Sequence, residues 1–255
     1  MLVAERRQII LEKLQEDKRV LVNELSTLFG VSTETIRRDL EQLCNEGLAI
    51  KSYGGATINE SGTDLPFNLR KLHMPAQKKK ISEMLLSLVG EGESVMLDAS
   101  TTAVFAARAL KKRNNLTVVT NSIEVMLELA DKPEWMVIAT GGKLLGNSLA
   151  LGGQRAVAGI SSVNVDKLIF SCKGLDKNGI YDSSDEFSQI KRAMLSAAGM
   201  KILAADQSKF GRTAFSKIAD FGEVDLVMTD SDPGGDWVEC ISRAGTRIVW
   251  DDAPA

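Results

Sequence analysis

The chain has 255 residues, of which 44% are hydrophobic and 25% charged, and its formal net charge at pH 7 is −3. This length suits a small module followed by a larger one with its own core, and the composition is that of an ordinary globular protein. No apolar run approaches the roughly 18 residues that a membrane span needs, and the charged N-terminus lacks the apolar core of a secretory signal, so we expect a cytoplasmic protein with no membrane partner.

The first predicted element is a helix over residues 5–16. Ile10 and Leu14 share one face of it, and the flanking Ile9 and Leu11 widen that apolar stripe. These four side chains predict the core-facing side of the helix.

Two further helices follow, joined by a short break. Asn23 is expected to cap the second helix, which runs to about Phe29, and Gly30 then breaks the chain. Ser32 is expected to cap a third helix over residues 33–46. The spacing predicts a helix-turn-helix.

The third helix has one apolar face and one polar face. Its buried stripe, spaced at i, i+4 and i+7, consists of Ile36, Leu40 and Leu43. The outward positions are Thr33, Glu34, Arg37, Arg38 and Glu41. Polar side chains therefore face away from the core along its N-terminal half.

A hairpin and a linker complete the first part of the chain. Gly47 is expected to end the third helix, and residues 48–53, followed by Gly54-Gly55, predict a short β-hairpin of the kind called a wing. Residues 58–75 show no sustained period and are interpreted as a linker. The predicted domains are residues 1–57 and 76–255.

A helix-turn-helix with polar groups at the start of its second helix suits the DNA major groove. Total charge does not decide the matter, because residues 1–57 carry 8 Lys and Arg against 9 Asp and Glu. The predicted DNA contacts are Ser32, Thr33, Glu34, Thr35, Arg37, Arg38, Lys51 and Tyr53. The arginines would bond guanine edges or phosphates, the hydroxyls phosphates, and the wing residues the adjacent backbone. In the alternative interpretation, the arginines only solvate the helix and pair with Glu34 and Glu41.

Beyond the linker, short apolar runs alternate with helical stretches. The runs are residues 95–97, 116–119, 136–139, 168–170, 202–205, 226–228 and 247–250, and the helical stretches include 102–112, 122–131, 184–198 and 236–244. Such alternation predicts a mostly parallel sheet covered by helices. In these sheets, ligands bind beyond the carboxyl ends of the strands.

Polar loops follow several of the predicted strands and suggest one pocket. The residues that they contribute are Asp98, Ser100, Thr101, Thr102, Asn121, Ser122, Gly141, Gly142, Lys143, Lys173, Gly174 and Asp176. Hydroxyls and free helix amides at the end of a strand make a phosphate cradle. Ser and Thr also cap helices where no ligand is present, and that structural alternative stays open.

Cysteine and histidine usage argues against metal chemistry. Cys44, Cys172 and Cys240 lie far apart with no paired spacing, which favours buried apolar side chains over a disulfide or a zinc site. His73 is the only histidine and lies in the polar linker, so metal sites and histidine-dependent triads are poorly supported. We predict no metal, no cofactor and no catalytic residue.

Several segments, in matching order and spacing, resemble the DeoR family of sugar-metabolism repressors. They are Glu24-Leu25, Val31-Ser32, Thr35-Ile36-Arg37-Arg38-Asp39-Leu40, Gly47 and Tyr53-Gly54-Gly55-Ala56, then Lys191-Arg192-Ala193-Met194 and Ala205 through Gly211. The resemblance implies an operator-binding winged helix in which Arg37 and Arg38 are the main DNA contacts. It also implies an α/β effector domain, similar in fold to ribose-5-phosphate isomerase, that responds to phosphorylated sugars.

The same resemblance assigns roles within the pocket. Phosphate would be held by Ser100, Thr101 and Thr102, and sugar hydroxyls by Asp98 and Asp176, with Glu186 nearby and Lys209 supplying compensating charge. The isomerases carry Asp before Gly at the turn where this chain has Lys173-Gly174. A cation there would favour a more acidic effector, such as a sugar acid phosphate, if the side chain points inward.

The resulting interpretation is an α/β protein in which a winged helix-turn-helix precedes a mostly parallel sensor domain. We expect a repressor that binds double-stranded operator DNA and a phosphorylated sugar, and that forms a homo-oligomer, either a dimer or a tetramer. Two alternatives stay open. The α/β domain could retain isomerase activity through Asp98, Asp176 or Glu186, or it could serve only as a scaffold.

Overall fold

The computed structural model describes residues 2–45, 48–58 and 67–251. The chain divides into two compact units, Met1–His73 and Met74–Ala255. Within the described ranges, no helix has both the length and the apolar character needed to cross a membrane. All three cysteines fall in these ranges, and each is a free thiol.

The first unit is a helix-turn-helix followed by a hairpin. Its elements are α1 (Val3–Asp17), β1 (Arg19–Leu21), α2 (Val22–Phe29), α3 (Thr33–Asn45), β2 (Ala49–Ser52), β3 (Gly55–Ile58) and α4 (Phe67–Leu72). The three strands form an antiparallel sheet in the order β1-β3-β2. This arrangement confirms the predicted winged helix-turn-helix.

The core of the first unit lies where the helical spacing places it. Ile10, Leu14 and Ile36 are fully buried, and Leu40 and Leu43 nearly so. Each such side chain contributes about 1.5–3 kcal/mol by leaving water. Of the two flanking residues of α1, Leu11 is buried but Ile9 is exposed, so the apolar stripe widens on one side only.

Two expectations about the first unit are corrected. Helix α2 begins at Val22, with Leu21 at the cap position, so Asn23 lies inside the first turn and does not cap it. The Val22 N–H donates instead to the carbonyl of Gly54 in the wing turn (2.9 Å), which satisfies one helix-start amide. Residues 67–72, interpreted as part of a linker, form α4. The expected end of α3 at Gly47 and the linker stretch 59–66 lie outside the described residues.

The second unit alternates strands and helices. Its helices are α5 (Pro75–Leu86), α6 (Thr101–Leu110), α7 (Ile123–Leu129), α8 (Gln154–Ser161), α9 (Asp185–Ser196) and α10 (Gly235–Arg243). Its strands are β4 (Ser94–Leu97), β5 (Thr117–Thr120), β6 (Met136–Ala139), β7 (Lys143–Leu145), β8 (Ala150–Gly152), β9 (Val165–Phe170), β10 (Gly174–Asp176), β11 (Gly179–Asp182), β12 (Ala198–Ala204), β13 (Ser216–Ala219), β14 (Leu226–Thr229) and β15 (Arg247–Trp250).

The seven apolar runs noted in the sequence all form strands of one sheet. Its order is β15-β14-β12-β9-β4-β5-β6, and every pair in it is parallel. Strands β4 and β14 are buried along all or most of their length, and β9 and β12 are buried at their last three residues, as expected for a sheet covered by helices on both faces. The predicted parallel α/β domain is confirmed.

The order of the strands places a crevice between β4 and β9. From β4 the chain proceeds to β5 and β6 on one side, and then crosses to β9, β12, β14 and β15 on the other. Where the direction of winding reverses, the loops at the carboxyl ends diverge and leave room for a ligand. Asp98 follows β4 and Ser171 follows β9, so both lie at this point.

Several smaller elements were not predicted. They are helices α5 and α8, the β7–β8 hairpin, and a three-stranded antiparallel sheet in the order β10-β11-β13. The strands of the hairpin and of the small sheet are only three or four residues long, too short to show a period in the sequence.

Candidate functional site

The exposed face of α3 carries the predicted DNA-contacting arginines. Arg37 and Arg38 are about 65% and 76% exposed, and both pair with Glu34, at 3.8 and 3.6 Å. Ser32 caps the helix, as expected, by accepting a hydrogen bond from the Thr35 N–H (3.2 Å). Exposed pairs of this kind contribute little free energy, so the arginines can exchange Glu34 for phosphate or a base at small cost.

The wing presents its tip to solvent. Tyr53 lies in the turn between β2 and β3 with 98% of its surface exposed, and Lys51 on β2 is exposed as well. Arg19 donates a hydrogen bond to the Tyr53 carbonyl (3.3 Å), which ties β1 to the wing turn. At Gly55 a Cβ atom would lie 1.9 Å from the Val20 carbonyl, so the close pairing of β1 and β3 requires glycine.

A buried ion cluster holds α3 against α1, and sequence reasoning missed it. Asp39, 2% exposed, accepts hydrogen bonds from Arg6 Nε (2.6 Å) and Arg7 Nε (2.8 Å). The arginines come from α1, so the cluster fixes the helix that bears Arg37 and Arg38. The sequence signal is an acid on the apolar face of α3, since Asp39 lies three residues after Ile36 and four before Leu43, but its partners lie about thirty residues away and cannot be read from spacing.

At the switch point of the sheet, Asp98 organises the loop that opens α6. Its Oδ1 accepts from the N–H and the hydroxyl of Ser100, at 3.2 and 2.6 Å, and its Oδ2 accepts from the Ser171 N–H at 3.3 Å. Ser100 also caps α6 by accepting from the Ala103 N–H (3.0 Å). Thr101 and Thr102 are buried in the first turn. The arrangement is a helix N-terminus at a crevice, lined by hydroxyls and suited to an anion.

Lys191 of α9 reaches the same loop from beneath. Its ammonium group lies 3.1 Å from Asp98 Oδ2 and 2.5 Å from Asp182 Oδ2, and it donates to the Ser171 carbonyl (2.6 Å). Burial by itself would lower the pKa of Lys191, but the carboxylates of Asp182 and Asp98 raise it above its ordinary value. Lys191 is therefore a buried cation that joins three elements of the site.

Cys172 and Lys209 lie at the β9 side of the crevice. Burial raises the pKa of the Cys172 thiol to about 12, against the opposing effect of Lys209 and Lys191. The thiol is therefore neutral and unreactive at physiological pH. Lys209 ends a short 3-10 helix, Gln207–Lys209, that is capped by Asp206. The structure thus brings the predicted Lys209 to the same region as Lys191.

The residues of the loop after β5 mainly make hydrogen bonds within the protein. Asn121, 1% exposed, exchanges hydrogen bonds with Leu151, its Nδ2 donating to that carbonyl at 3.0 Å and its own carbonyl accepting at 2.7 Å. Its Oδ1 is buried without a hydrogen-bond partner. Ser122 is fully buried and caps α7 through the Val125 N–H (3.2 Å).

The loop after β6 leads to a charge pair. Gly141 and Gly142 have φ values of 72° and 116°, and a Cβ at Gly142 would lie 2.4 Å from the Gly152 carbonyl. Lys143 passes over Gly153 at the start of α8 and pairs with Glu186 of α9 (3.1 Å). Lys143 and Glu186 are therefore together, at the β6 side of the site.

The remaining predicted residues belong to the β10–β11 hairpin. At its base, the Lys173 N–H donates to the Tyr181 carbonyl (2.9 Å), and a Cβ at Gly174 would lie 2.4 Å from the Arg212 carbonyl. At its tip, Asp176 accepts from the Asn178 N–H (2.8 Å) and pairs across the turn with Gly179. The expected role of Asp176 on a sugar hydroxyl stays a prediction.

Comparison with known families decides the identity of both units. Residues 6–62 match the family described as DeoR-like helix-turn-helix domain, and residues 73–231 match the DeoR C terminal sensor domain. The chain belongs to the DeoR family. The second match alone covers more than half of the chain, and it includes the crevice, Lys191 and Lys209.

Full-length relatives agree with this DeoR assignment. The chain is 40% identical to the HTH-type transcriptional regulator YulB of Bacillus subtilis (strain 168), over 91% of this chain and 90% of that protein. It is 33% identical to the HTH-type transcriptional repressor GlcR of the same organism, over 96% and 95%. It is 31% identical to the glycerol-3-phosphate regulon repressor of Escherichia coli (strain K12), over 90% and 91%.

These names are those of transcriptional regulators, so a DeoR-family regulator is supported over the isomerase alternative. Among solved structures, a D-ribose-5-phosphate isomerase in complex with phospho-erythronic acid superposes with a TM-score of 0.40 and 12% identity, over 53% of this chain and 54% of that one. A likeness this partial carries no conclusion about the ligand. In the part of the chain that the structure describes, no group of three or more His, Cys, Asp and Glu side chains is placed to hold a metal ion.

Proposed function

We propose that this DeoR-family chain is a repressor of a carbohydrate-metabolism operon, and that a phosphorylated sugar or sugar acid controls its binding to operator DNA. The observation that carries the proposal is the hydroxyl-lined start of α6 at the crevice between β4 and β9. A relative named as the glycerol-3-phosphate regulon repressor, and another named as a putative aga operon transcriptional repressor, support a repressor of this class.

In this proposal Ser100, Thr101 and Thr102 hold the phosphate through hydroxyls and helix amides. Asp98 has a different role from the one expected, because it is 1% exposed and both of its oxygens already accept hydrogen bonds. It shapes the phosphate loop and does not contact sugar hydroxyls. Lys209 and the pair of Lys143 and Glu186 are then the charged groups available to the rest of the effector.

The DNA-binding half of the proposal rests on the exposed face of α3 and on the wing. Arg37 and Arg38 read the major groove, Ser32, Thr33, Glu34 and Thr35 surround them, and Lys51 and Tyr53 contact the flanking backbone. One winged helix makes few base contacts, so we propose a homo-oligomer, a dimer or a tetramer, that occupies paired half-sites.

The proposal is tested by fluorescence anisotropy on the full chain with a duplex from the promoter of its own operon. A panel of phosphorylated sugars and sugar acids is titrated, with the unphosphorylated compounds as controls. A phosphorylated compound is expected to change operator affinity, and the operator must change the affinity for that compound by the same factor. Product formation in the same mixtures, followed by NMR, would support the isomerase alternative.

A matched pair of variants tests the phosphate loop. Ser100→Ala removes the cap of α6, and Thr246→Ala removes two buried hydrogen bonds to the carbonyls of Phe221 and Val224 at the opposite ends of the strands; each should lower stability by about 1 kcal/mol. Only Ser100→Ala is expected to weaken the response to the phosphorylated compound. Equal responses in the two variants would contradict the assignment of the loop.

A further inference from the structure

The cluster beneath the phosphate loop contains two acids and one base. The carboxylates of Asp98 and Asp182 both contact the ammonium group of Lys191, so the three side chains carry a net charge of −1. Lys209 and Asp206 also act on the neighbouring Cys172 thiol, but they add one charge of each sign. The loop proposed to bind a phosphate therefore lies over a cluster that is itself negative.

Lys191 is the group that keeps this negative charge small. Asp98 is separated by one residue from Ser100, to which it is hydrogen-bonded, so its charge acts directly on an anion bound at that loop. Without the ammonium group, the cluster would carry −2 in a region shielded from water, where charges interact more strongly than in solvent. Lys191 is only 7% exposed, so it acts through Asp98 and Ser171 and not by touching the effector.

We infer that Lys191 is a positioning and charge-compensating residue of the effector site: it joins α9 to the loops that follow β4 and β9, and it offsets the acids beneath the phosphate. This inference rests on the proposed function. It predicts that phosphate affinity follows the net charge of the cluster, which a purely structural role of Lys191 does not predict.

The test uses the full chain, with inorganic phosphate as the probe and isothermal titration calorimetry as the measurement. Lys191→Met lowers the cluster charge to −2 and is expected to weaken phosphate binding about tenfold or more. Asp182→Asn raises the charge to zero, leaves Asp98 paired, and is expected to tighten binding about threefold. Lys191→Arg keeps the charge and is expected to stay close to the wild-type affinity.

Lys167→Met is the matched control. Lys167 of β9 is also mostly buried and is paired with an acid, Glu93. Glu93 precedes β4, at the end of the strand away from the crevice. The Lys167→Met variant should leave phosphate binding unchanged, even where it lowers stability. Operator binding without phosphate is measured for every variant and should match the wild type.

The outcomes separate the two proposals. If wild-type protein does not bind phosphate, the proposed function fails and this inference fails with it. If the wild type binds phosphate and Lys191→Met binds it equally well, only the inference fails. If Lys191→Met does not fold, Asp182→Asn decides the question, and binding weaker than in the wild type overturns the inference.

Discussion

The two units present charge to their proposed ligands in opposite ways. On α3 the arginines are largely exposed and loosely paired, whereas at the crevice Lys191 and Asp98 are almost completely buried and tightly bonded. Exposed guanidinium groups can follow the phosphates and base edges of a large ligand that brings its own counterions. A small anion requires a site whose charges and amides are fixed before it arrives.

The difference in burial determines which property a mutation should change. A change at an exposed charge should alter affinity and leave stability unchanged, because its pairs are solvated. A change at a buried charge should alter stability first, because the partner that remains loses its compensation. Substitutions of buried and of exposed charges in the two units test this expectation.

The largest effect is expected at Asp39, the exception within the DNA-binding unit. Asp39→Ala would leave Arg6 and Arg7 without their acceptor and should lower the free energy of unfolding of this unit by about 3–5 kcal/mol. Urea unfolding followed by circular dichroism measures it. Glu41→Ala, an exposed acid of the same helix, is the control and should change stability by less than about 0.5 kcal/mol.

The arginines of α3 should show the opposite behaviour. Arg37→Gln and Arg38→Gln are each expected to weaken operator binding by about 1–3 kcal/mol, roughly 5- to 150-fold, with stability unchanged. Glu41→Gln, at an exposed acid of the same helix that is not a proposed DNA contact, is the control and should not weaken binding. Anisotropy titrations at several salt concentrations measure these changes. If affinity stays at the wild-type value in both arginine variants, α3 is not the reading element.

The predictable helices have apolar residues at a sustained helical spacing, and the predictable strands are continuous apolar runs. Ile36, Leu40 and Leu43 define α3 without any knowledge of its neighbours, and each apolar run of the main sheet needs only its own composition. The three-residue strands β7, β8 and β10 gave no such signal. Asn23 was misjudged because α2 begins one residue before it, at Val22, whose N–H is satisfied by the carbonyl of Gly54 about thirty residues later in the chain.

The candidate site was predictable as a set of loops but not as a set of contacts. Topology brings Asp98 and Ser171 to one crevice, and the polar character of the loop after β4 was visible in the sequence. The partners of Asp98 were not, because Lys191 comes from a helix more than ninety residues away. The sequence does not distinguish a buried lysine from an exposed one, because the two carboxylates that pair with Lys191 are brought to it only by the fold.

A smaller effect is expected at the amino ends of the strands of the main sheet. Glu93 lies at the edge opposite the crevice, and its hydrogen bond with Lys167 is the main reason why its pKa is lowered. A lowered pKa stabilises the fold above the ordinary pKa of glutamate, near 4.3, and the contribution is lost as pH falls through the folded-state value. Glu93→Gln should therefore cost about 1–2 kcal/mol at pH 7 and progressively less below pH 4.5.

The pH dependence is read from urea unfolding of the second unit at pH 7 and at two acidic values. A difference between wild type and Glu93→Gln that grows as the pH falls would contradict the direction of the shift. Phosphate binding should not change in this variant at pH 7, because the crevice lies at the other ends of β4 and β9.

The smallest effect is expected at the tip of the wing. Tyr53 is 98% exposed, so Tyr53→Ala removes almost no packing and should change the free energy of unfolding by less than about 0.5 kcal/mol. If the ring contacts the DNA backbone, operator affinity should fall by about 0.5–1 kcal/mol, and nonspecific duplexes should lose affinity to the same extent, since backbone contacts carry no sequence information. Anisotropy with operator and scrambled duplexes measures both. A loss confined to the operator would instead place Tyr53 against a base.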